Sequence, residues 1–312
     1  MYIVTGGAGF IGSNLVSRLN SIGIDDIIIV DNLTNGSKHK NLNSLVFNDY
    51  IDKHDFIEKL ELFKKEKIEI LFHQGACTDT MENDGRYMMS NNYKFSKEIL
   101  NFSQSNNIRF IYASSASVYG TGDNGFQEVK RCENPLNIYA YSKFFFDQYV
   151  RRILPTSTRQ ITGLRYFNVY GPGEEHKAKM ASIILQFYKQ LQEKNTIKLF
   201  NGSENFVRDF IHVNDIINII IFFMEHPDKK GIFNGGTGST TSFTEIAEII
   251  KRIYVNVNFE YIDFPQELKY KYQTYTKADI GNLLKTGYSN DFISIEDGIK
   301  DYINILDKKL YK

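Results

Sequence analysis

The stretch Tyr2-Ile-Val-Thr-Gly-Gly-Ala-Gly-Phe-Ile-Gly12 decides the fold of this 312-residue chain. A short apolar run breaks into glycines and then resumes as an apolar pattern, which predicts a strand, a tight turn and a helix. Gly6 permits a positive φ in the turn, Gly9 lets the backbone approach a pyrophosphate, and Gly12 lets the helix pack closely on the strand. Backbone N–H groups at the start of such a helix face the anion.

A second apolar run ends in an acidic residue at the expected distance from these glycines. The run is Asp26-Ile-Ile-Ile-Val30, and Asp31 follows it, 19 residues after Gly12. A carboxylate at this point of a βαβ unit binds the ribose of a dinucleotide. An ordinary glycine-rich turn is the alternative, and the position of Asp31 argues against it. The sequence therefore predicts a dinucleotide site at the first strand–helix turn.

Strand-like and helix-like patterns alternate through the first half of the chain. This alternation predicts an α/β fold with a Rossmann-type, doubly wound parallel sheet. We expect a third strand over residues 46–49 and long helices over residues 87–106 and 139–153. Residues 1–170 are predicted to form a dinucleotide-binding domain, to which some later segments return. Residues 171–312 are predicted to form mainly a smaller, mixed α/β substrate lobe.

Composition excludes several classes of partner. Lys plus Arg and Asp plus Glu number 37 each, so no overall charge favours nucleic acid or a membrane surface. The longest strongly apolar run, residues 216–224, is far below the ~18 residues that span a bilayer, and the glycine turn occupies the place of a signal peptide. Cys77 and Cys132 form no metal spacing and no disulfide framework. We expect a soluble, cytoplasmic protein without a bound metal.

The segment Tyr139-Ala-Tyr-Ser-Lys143 carries the candidate chemistry. Its phenol and its ammonium stand four residues apart, on one face of a predicted helix. A nearby ammonium favours the phenolate, so we expect a lowered pKa for Tyr139 and a role as general acid and base. Ser115, at the end of a predicted strand, could steady a substrate oxygen as charge develops. Singly these residues are an ordinary helix pair and a turn serine, whereas together they favour hydride transfer.

These motifs resemble those of the extended short-chain dehydrogenases/reductases that act on nucleotide sugars. The resemblance rests on Gly6-x-x-Gly9-x-x-Gly12, Ser115 and Tyr139-x-x-x-Lys143, and it continues through Arg165-Tyr-Phe-Asn-Val-Tyr-Gly-Pro172 and Arg208-Asp-Phe-Ile-His-Val213. In that family Asn168 and Arg208 would meet the nucleotide diphosphate. An arginine suits this role because its permanent charge binds phosphate bidentately.

Within the family, the chain is most similar to the branch of epimerases that act on an ADP-linked heptose. The shared motifs are Asp31-Asn-Leu33, Gln74-Gly-Ala-Cys77, Gly85-Arg-Tyr-Met-Met89, Tyr166-Phe-Asn-Val-Tyr-Gly-Pro-Gly-Glu-Glu-His-Lys177, Phe200-Asn-Gly-Ser-Glu-Asn-Phe206 and Tyr272-Gln273. The resemblance implies inversion at C6 of the ADP-heptose by transient oxidation, for the supply of lipopolysaccharide core heptose. It also implies a homo-oligomer, a pentamer.

The resemblance assigns site residues by position. The cofactor residues, with the three glycines, are Gly6, Gly9, Phe10, Ile11, Gly12, Asp31, Asn32, Lys38, Lys53, Gln74, Gly75, Ala76, Cys77, Thr78, Asn91, Tyr139, Lys143, Val169 and Lys177. The substrate residues are Ser115, Asn168, Lys179, Gln186, Phe200, Asn201, Gly202, Ser203, Arg208 and Tyr272. Lys179 and Gln186 depart from the family pattern, which commonly has serine and histidine there.

Two assignments carry the cofactor choice and the mechanism. Asp31 alone would favour NAD, but Lys38 and Lys53 bind a 2′-phosphate in the resembling family, so the predicted cofactor is NADP rather than NAD. Inversion requires hydride to return to the opposite face of the carbon, which moves the oxygen away from Tyr139. In the resembling family the lysine at position 177 is the second proton donor, so the predicted catalytic set is Ser115, Tyr139, Lys143 and Lys177.

Three alternatives remain at this stage. A UDP-hexose 4-epimerase would share the glycines, Ser115, Tyr139 and Lys143. A 4,6-dehydratase would need an Asp-Glu pair where Ala116 and Ser117 stand. A dinucleotide-sensing regulator could keep the fold without catalysis, although retention of the three chemical side chains argues against that class.

Overall fold

The computed structural model describes residues 1–264 and 273–310. The strands of this part are β1 (Tyr2–Thr5), β2 (Ile27–Asp31), β3 (Asp49–Asp52), β4 (Ile70–His73), β5 (Arg109–Ser115), β6 (Ile161–Tyr166), β7 (Asn168–Tyr170), β8 (Thr196–Phe200), β9 (Val207–Arg208), β10 (Phe210–His212), β11 (Gly231–Gly235), β12 (Thr241–Ser242) and β13 (Asn258–Ile262). Its α-helices are α1 (Phe10–Ser21), α2 (Lys53–Glu58), α3 (Gly85–Met88), α4 (Phe95–Ser105), α5 (Ile138–Ile153), α6 (Ile183–Lys194), α7 (Val213–Glu225), α8 (Phe243–Ile253), α9 (Gly281–Lys285) and α10 (Ile295–Leu310).

Seven parallel strands form the main sheet, in the order β11-β6-β5-β4-β1-β2-β3. Thr5 at the end of β1 pairs with Val30 of β2 and with His73 of β4, so the segments that follow β1 and β4 leave the sheet side by side. The strand order reverses at this point, and ligands of such sheets bind in the crevice outside these strand ends. The predicted Rossmann-type, doubly wound sheet is confirmed.

Helices cover both faces of the sheet, which explains why its strands are nearly continuous apolar runs. On one face α1 and α7 contribute Leu15 and Ile216 to a core with the sheet. On the other face α4 and α5 contribute Ile99 and Phe146. Both α7 and β11 follow residue 170 in the chain, so the two lobes interleave along the sequence.

The second lobe packs α6, α8 and α10 around its own core, with Leu185, Ile246 and Ile303 in its centre. Three small strand pairs accompany these helices: β8 with β13 and β7 with β10 are parallel, and β9 with β12 is antiparallel. Helix α8 begins with a capping box in which Ser242 and Glu245 bond each other's backbone N–H. These elements form a smaller, mixed α/β lobe, as predicted. No helix in the described ranges is both long and apolar enough to cross a membrane.

One local expectation was wrong, and another missed a detail. The third strand is Asp49–Asp52 instead of residues 46–49, and Val46 is 55% exposed. This strand lies at an edge of the sheet, where one side lacks a neighbour and polar residues are tolerated, so the apolar run gave the wrong position. The helix expected over residues 87–106 starts at Gly85 and contains a wide π turn over Met89–Lys94. A π turn holds an extra residue that a 3.6-residue periodicity does not reveal.

Candidate active site

The glycine turn after β1 brings three pieces of backbone together. Gly6 has φ +71°, and a Cβ there would lie 2.5 Å from the backbone nitrogen of Gly75, which follows β4. A Cβ at Gly12 would collide with the carbonyl oxygen of Gly6. Side chains at these two positions would therefore separate the turn from the β4 loop and from α1.

The start of α1 presents backbone donors to the crevice. Its first intrahelical bond runs from the N–H of Ser13 to the carbonyl of Gly9, and no side chain caps the helix. The N–H groups of Phe10, Ile11 and Gly12 have no intrahelical acceptor, because they belong to the first turn. Such a helix start is suited to a phosphate.

Asp31, at the end of β2, is already engaged by three donors. One carboxylate oxygen accepts the N–H of Ala8 at 2.9 Å, and the other accepts the N–H of Asn32 at 2.7 Å and the ammonium of Lys38 at 2.6 Å. Lys38 also donates to the side-chain oxygen of Asn32 at 3.2 Å. The negative charge of Asp31 is therefore offset by a lysine that lies beside it.

A cleft of about 570 Å³ lies at the strand ends. Sixteen of the nineteen predicted cofactor residues line it, namely Gly6, Gly9, Phe10, Ile11, Gly12, Asp31, Asn32, Lys38, Lys53, Gln74, Gly75, Ala76, Cys77, Thr78, Asn91 and Lys177. Tyr139, Lys143 and Val169 are absent from this lining. The lining also includes residues that sequence reasoning missed, namely Thr5, Val30, Asn35, Asp79, Tyr87, Phe95, His176 and Met180.

The π turn carries polar side chains toward the cleft. Lys53 donates to the side-chain oxygen of Asn91 in this turn, and burial lowers the pKa of Lys53. The amide of Asn92 donates to the carbonyl of Cys77 at 3.0 Å and to the hydroxyl of Ser142 on α5 at 3.1 Å. The turn therefore connects the β4 loop, the cleft and α5.

Tyr139 and Lys143 lie on α5, which begins where the side chain of Asn137 accepts the N–H of Ala140. Burial raises the pKa of Tyr139, while a hydrogen bond with Ser115 opposes this shift. The raised pKa corrects the expectation that Lys143 lowers it. The ammonium of Lys143 donates to the carbonyl of Ala113 at 2.8 Å, and burial lowers its own pKa to about 8. Desolvation of the phenol is thus the largest influence on the pKa of Tyr139.

Lys177 lies on an irregular turn, the 3₁₀ segment Glu175–Met180, in which Ala178 has φ +48°. Its ammonium sits 5.5 Å from the ring centroid of Phe10, at the first residue of α1. Burial lowers the pKa of Lys177, and the negative charge of Glu174 opposes this shift. The structure therefore places Lys177 beside the helix start that faces the cleft.

Two asparagines connect this turn to α1 and to the glycine turn. Asn41 donates to the carbonyls of Ala8 and Gly173, both at 3.1 Å. Asn14 on α1 donates to the carbonyl of Pro172 at 2.9 Å. Sequence reasoning missed both, because their bonds to Gly173 and Pro172 span more than 130 residues and only the fold brings these residues together.

The predicted substrate residues lie mostly in the second lobe. Asn168 donates to the carbonyl of Asp209 and to the hydroxyl of Thr276, both at 3.0 Å, and its side-chain oxygen lies 3.5 Å from a guanidinium nitrogen of Arg208. Asn168 and Arg208 are therefore neighbours, although 40 residues separate them.

The other predicted substrate residues make contacts of different kinds. Aromatic contacts run from Phe200 to Phe206 and on to Phe243, over which Arg208 lies at 5.9 Å. The other positions in this group are Asn201, which donates to Asp263, Gly202, which has φ +83°, and Ser203, which is buried against Thr244. Lys179 is exposed, and Gln186 donates to the carbonyl of Ala181 at 2.8 Å. Tyr272 lies outside the described residues.

Charged and sulfur side chains form no candidate metal centre in the part of the chain that the structure describes. No group of three His, Cys, Asp or Glu residues there has the arrangement of metal ligands. The polar groups at the cleft are instead lysines, amides and backbone N–H groups, a donor set that suits phosphates.

Comparisons with known proteins agree with this geometry. The model of the NAD dependent epimerase/dehydratase family matches residues 2–236. An ADP-L-glycero-D-manno-heptose-6-epimerase of Brachyspira hyodysenteriae is 53% identical over 99% of this chain and 98% of its own length.

Solved structures of nucleotide-sugar epimerases superpose along the whole chain. The Helicobacter pylori ADP-L-glycero-D-manno-heptose-6-epimerase has a TM-score of 0.86 and 32% identity, covering 98% of this chain and 96% of its own. A UDP-N-acetylglucosamine 4-epimerase from Methanobrevibacter ruminantium has a TM-score of 0.85 and 27% identity, covering 99% and 98%. From the extent of the family match and the full-length identity, the chain belongs to the NAD dependent epimerase/dehydratase family.

Proposed function

We propose that this protein is an ADP-L-glycero-D-manno-heptose 6-epimerase, an isomerase that inverts C6 of ADP-D-glycero-D-manno-heptose. The observation that carries the proposal is the place of Lys177, partly buried beside the start of α1 and lining the same cleft as the glycine turn. Inversion of an exocyclic carbon needs a second proton-exchanging group besides the proposed Tyr139. The full-length similarity to the Brachyspira relative supports the same reading.

The cleft fits a nicotinamide dinucleotide. Glycines without room for a Cβ and unbonded N–H groups at the start of α1 suit a pyrophosphate. When bound, the nicotinamide takes hydride from the substrate carbon and returns it. The proposed holders are the predicted cofactor residues along the cleft, with Tyr139, Lys143 and Val169 beyond its lining.

The charges favour NADP over NAD. Asp31 already accepts three hydrogen bonds, one of them from Lys38, so it is poorly placed to bind a ribose hydroxyl. Lys53 is a second cation of the cleft, and its partner is the neutral Asn91. Two ammonium groups beside the adenosine end suit a 2′-phosphate. Mass spectrometry of the dinucleotide released on denaturation tests this choice, and NAD as the sole species would overturn it.

Tyr139 is proposed to exchange a proton with the C6 hydroxyl while the carbon is oxidised. Burial raises the pKa of Tyr139 while hydrogen bonding with Ser115 lowers it, and Ser115 is proposed to steady the same substrate oxygen. Lys143 is proposed to hold the phenolate form, and its ammonium is kept near by the carbonyl of Ala113. The raised pKa of Tyr139 makes it a poor spontaneous acid, so this stabilisation is needed during the reaction.

Lys177 is proposed to exchange the proton on the opposite side. C6 of the heptose is outside the sugar ring, so the ketone can present its second face by rotating about one bond. The oxygen then leaves Tyr139 and meets the ammonium of Lys177. A lowered pKa brings this ammonium closer to neutral pH and makes it a better proton donor.

The ADP-heptose itself is proposed to lie along the second lobe. Asn168 and Arg208 are the candidates for the diphosphate, since they are neighbours and the guanidinium is permanently charged. The other proposed contacts are Phe200, Asn201, Gly202, Ser203, Lys179 and Gln186. Lys179 and Gln186 are the two that depart from the family pattern.

We further propose a homo-oligomer, a pentamer, working in the cytoplasm to supply lipopolysaccharide core heptose. Exposed aromatic side chains support association, since Tyr87, Tyr141 and Phe145 are 45%, 42% and 38% exposed. Light scattering coupled to size exclusion measures the assembly, and a monomer at micromolar concentration would contradict it.

The decisive experiment is to incubate the purified protein with ADP-D-glycero-D-manno-heptose and follow the 6-epimer by proton NMR. UDP-galactose in a parallel reaction tests the 4-epimerase alternative. We expect conversion of the heptose toward equilibrium and no conversion of the hexose. Turnover of UDP-galactose alone would transfer the proposal to the 4-epimerase class.

A further inference from the structure

Glu174 is a fully buried carboxylate that the chemistry above does not use. One of its oxygens accepts the N–H of Ser182 at 2.6 Å. The other accepts the hydroxyl of Ser182 at 2.6 Å and the N–H of Gly171 at 3.4 Å. Burial raises the pKa of Glu174, which indicates that the charged form is held in an unfavourable environment. A buried charge of this kind needs compensation and calls for an explanation.

The hydrogen bonds of Glu174 join the two ends of the turn that carries Lys177. Gly171 precedes the turn, and Ser182 caps the start of α6 by accepting the N–H of Leu185 at 3.3 Å. The carbonyl of Glu174 also accepts the N–H of Lys177 at 2.9 Å. The carboxylate therefore fixes the turn at both ends, and its backbone fixes the position of Lys177.

We propose that Glu174 is a positioning residue for Lys177: it clamps the turn and supplies the negative charge that keeps the Lys177 ammonium protonated in its half-buried place. This inference rests on the proposed function, because it gives Lys177 the role of proton donor. Glu174 contacts neither substrate nor cofactor in this scheme and acts only through Lys177.

The other charged groups around the turn are already compensated. Glu175 pairs with Lys309 of α10, and Asp31 pairs with Lys38. His176 has a lowered pKa because of burial and the neighbouring lysines, so it is neutral near pH 7.

Tyr302 faces Glu174 from α10 and stays neutral, because burial raises its pKa and the carboxylate raises it further. Among the described residues, Glu174 is thus the carboxylate left to balance Lys177. Removing its charge leaves burial to lower the pKa of Lys177 further.

The test is to measure the pKa of Lys177 in Glu174→Gln. The amide keeps an acceptor for the N–H of Ser182 and gives the hydroxyl of Ser182 a donor, so the Ser182 end of the clamp remains while the charge and the 3.4 Å contact with Gly171 are lost. Competitive acetylation of lysines by acetic anhydride over a pH series, read by peptide mass spectrometry, gives the pKa without any need for turnover. We expect a fall of about one pKa unit, the typical effect of losing a nearby opposite charge.

Glu175→Gln is the matched control. It removes the adjacent carboxylate, whose partner Lys309 is half exposed, and is expected to leave the pKa of Lys177 unchanged. Equal pKa values of Lys177 in the parent and in Glu174→Gln, or an equal shift in Glu175→Gln, would overturn the proposal. The alkaline limit of kcat should move downwards by the same amount as the pKa of Lys177 in Glu174→Gln only.

Glu174→Asp keeps the test decisive if the glutamine variant does not fold. Its charge is retained but withdrawn by one CH₂ group, so we expect a smaller downward shift of the Lys177 pKa. An unchanged pKa in this variant would overturn the proposal. If the parent protein fails to epimerise any ADP-heptose, the proposed function fails, while the acetylation experiment still decides whether Glu174 tunes Lys177.

Discussion

The two proposed proton-exchanging groups stand on different kinds of backbone. Tyr139 lies in the first turn of a regular helix, whereas Lys177 lies in an irregular turn with a positive φ at Ala178. Behind the helix, the buried guanidinium of Arg165 pairs with Asp147 and Glu133. The irregular turn is fixed instead by single side chains that reach it from elsewhere. One site is thus positioned by secondary structure, and the other by a few tertiary hydrogen bonds.

Lys177→Met should have the largest effect on epimerisation of the variants proposed for the two groups. We expect epimerisation to fall below detection while the dinucleotide remains bound, because Tyr139 is left as the one proposed proton exchanger. Proton NMR measures the epimer, and absorbance near 340 nm shows whether the bound cofactor is still reduced by one epimer. Lys189→Met, at an exposed lysine of α6 outside the proposed site, is the control that should retain turnover. Normal epimerisation by Lys177→Met would return this lysine to an ordinary loop residue.

Tyr139→Phe should have the next largest effect. A positioned acid and base contributes about 10²–10⁴-fold, so we expect kcat to fall by about that factor with fold and cofactor retained. Tyr141→Phe is the control, since Tyr141 is exposed on the same helix. Steady-state rates on the ADP-heptose measure both variants. A loss of only a few-fold in Tyr139→Phe would remove this residue from the mechanism.

Arg165→Met tests how much the buried ion pairs behind α5 contribute to the free energy of unfolding. The change leaves Asp147 and Glu133 buried without their shared cation, which typically lowers the free energy of unfolding by about 3–5 kcal/mol. Arg151→Met is the control, because Arg151 is 25% exposed and Glu133 keeps its buried partner Arg165 after this change. We expect the control to lose less free energy of unfolding than Arg165→Met. Urea unfolding of both proteins makes the comparison, and equal losses would show that burial of the cluster is unimportant.

Asn41→Ala should have the smallest effect of these variants, because it only weakens the attachment of the Lys177 turn. It deletes the amide that bridges the glycine turn and the Lys177 turn through Ala8 and Gly173. Each lost hydrogen bond is worth about 1 kcal/mol, so we expect dinucleotide affinity to fall by about tenfold. Asn48→Ala is the control, because the amide of Asn48 donates to Asp26 at 2.6 Å, away from the Lys177 turn. Isothermal titration with NADP measures both, and unchanged affinity in Asn41→Ala would show that the bridge does not organise the cleft.

The same contrast explains what the sequence could predict. The glycine turn and α5 follow from local spacing, and the doubly wound sheet follows from the alternation of strands and helices. The direction of the Tyr139 pKa did not follow, because spacing shows a neighbouring lysine but not the loss of solvent around the phenol. The edge strand and the π turn were also missed, since neither obeys a simple period.

The role of Lys177 could be predicted only through resemblance. Nothing in the spacing of Gly173-Glu-Glu-His-Lys177 shows that the first glutamate turns inward to Ser182 while the second reaches Lys309. The sequence around Asn41 likewise does not show its bond to a carbonyl 132 residues away. The catalytic and binding roles themselves stay predictions, which the variants above are designed to test.

Because the two lobes interleave along the sequence, the enzyme cannot be divided into two folded fragments at residue 170. A fragment ending at residue 170 would lack α7, whose Ile216, Ile219 and Ile220 are wholly shielded from water, and β11, which pairs with β6. Such a fragment would present a bare apolar sheet face and a new unpaired edge, both of which promote aggregation. The chain also crosses between the two lobes several times. We therefore expect the two lobes to fold and unfold together, as one cooperative unit.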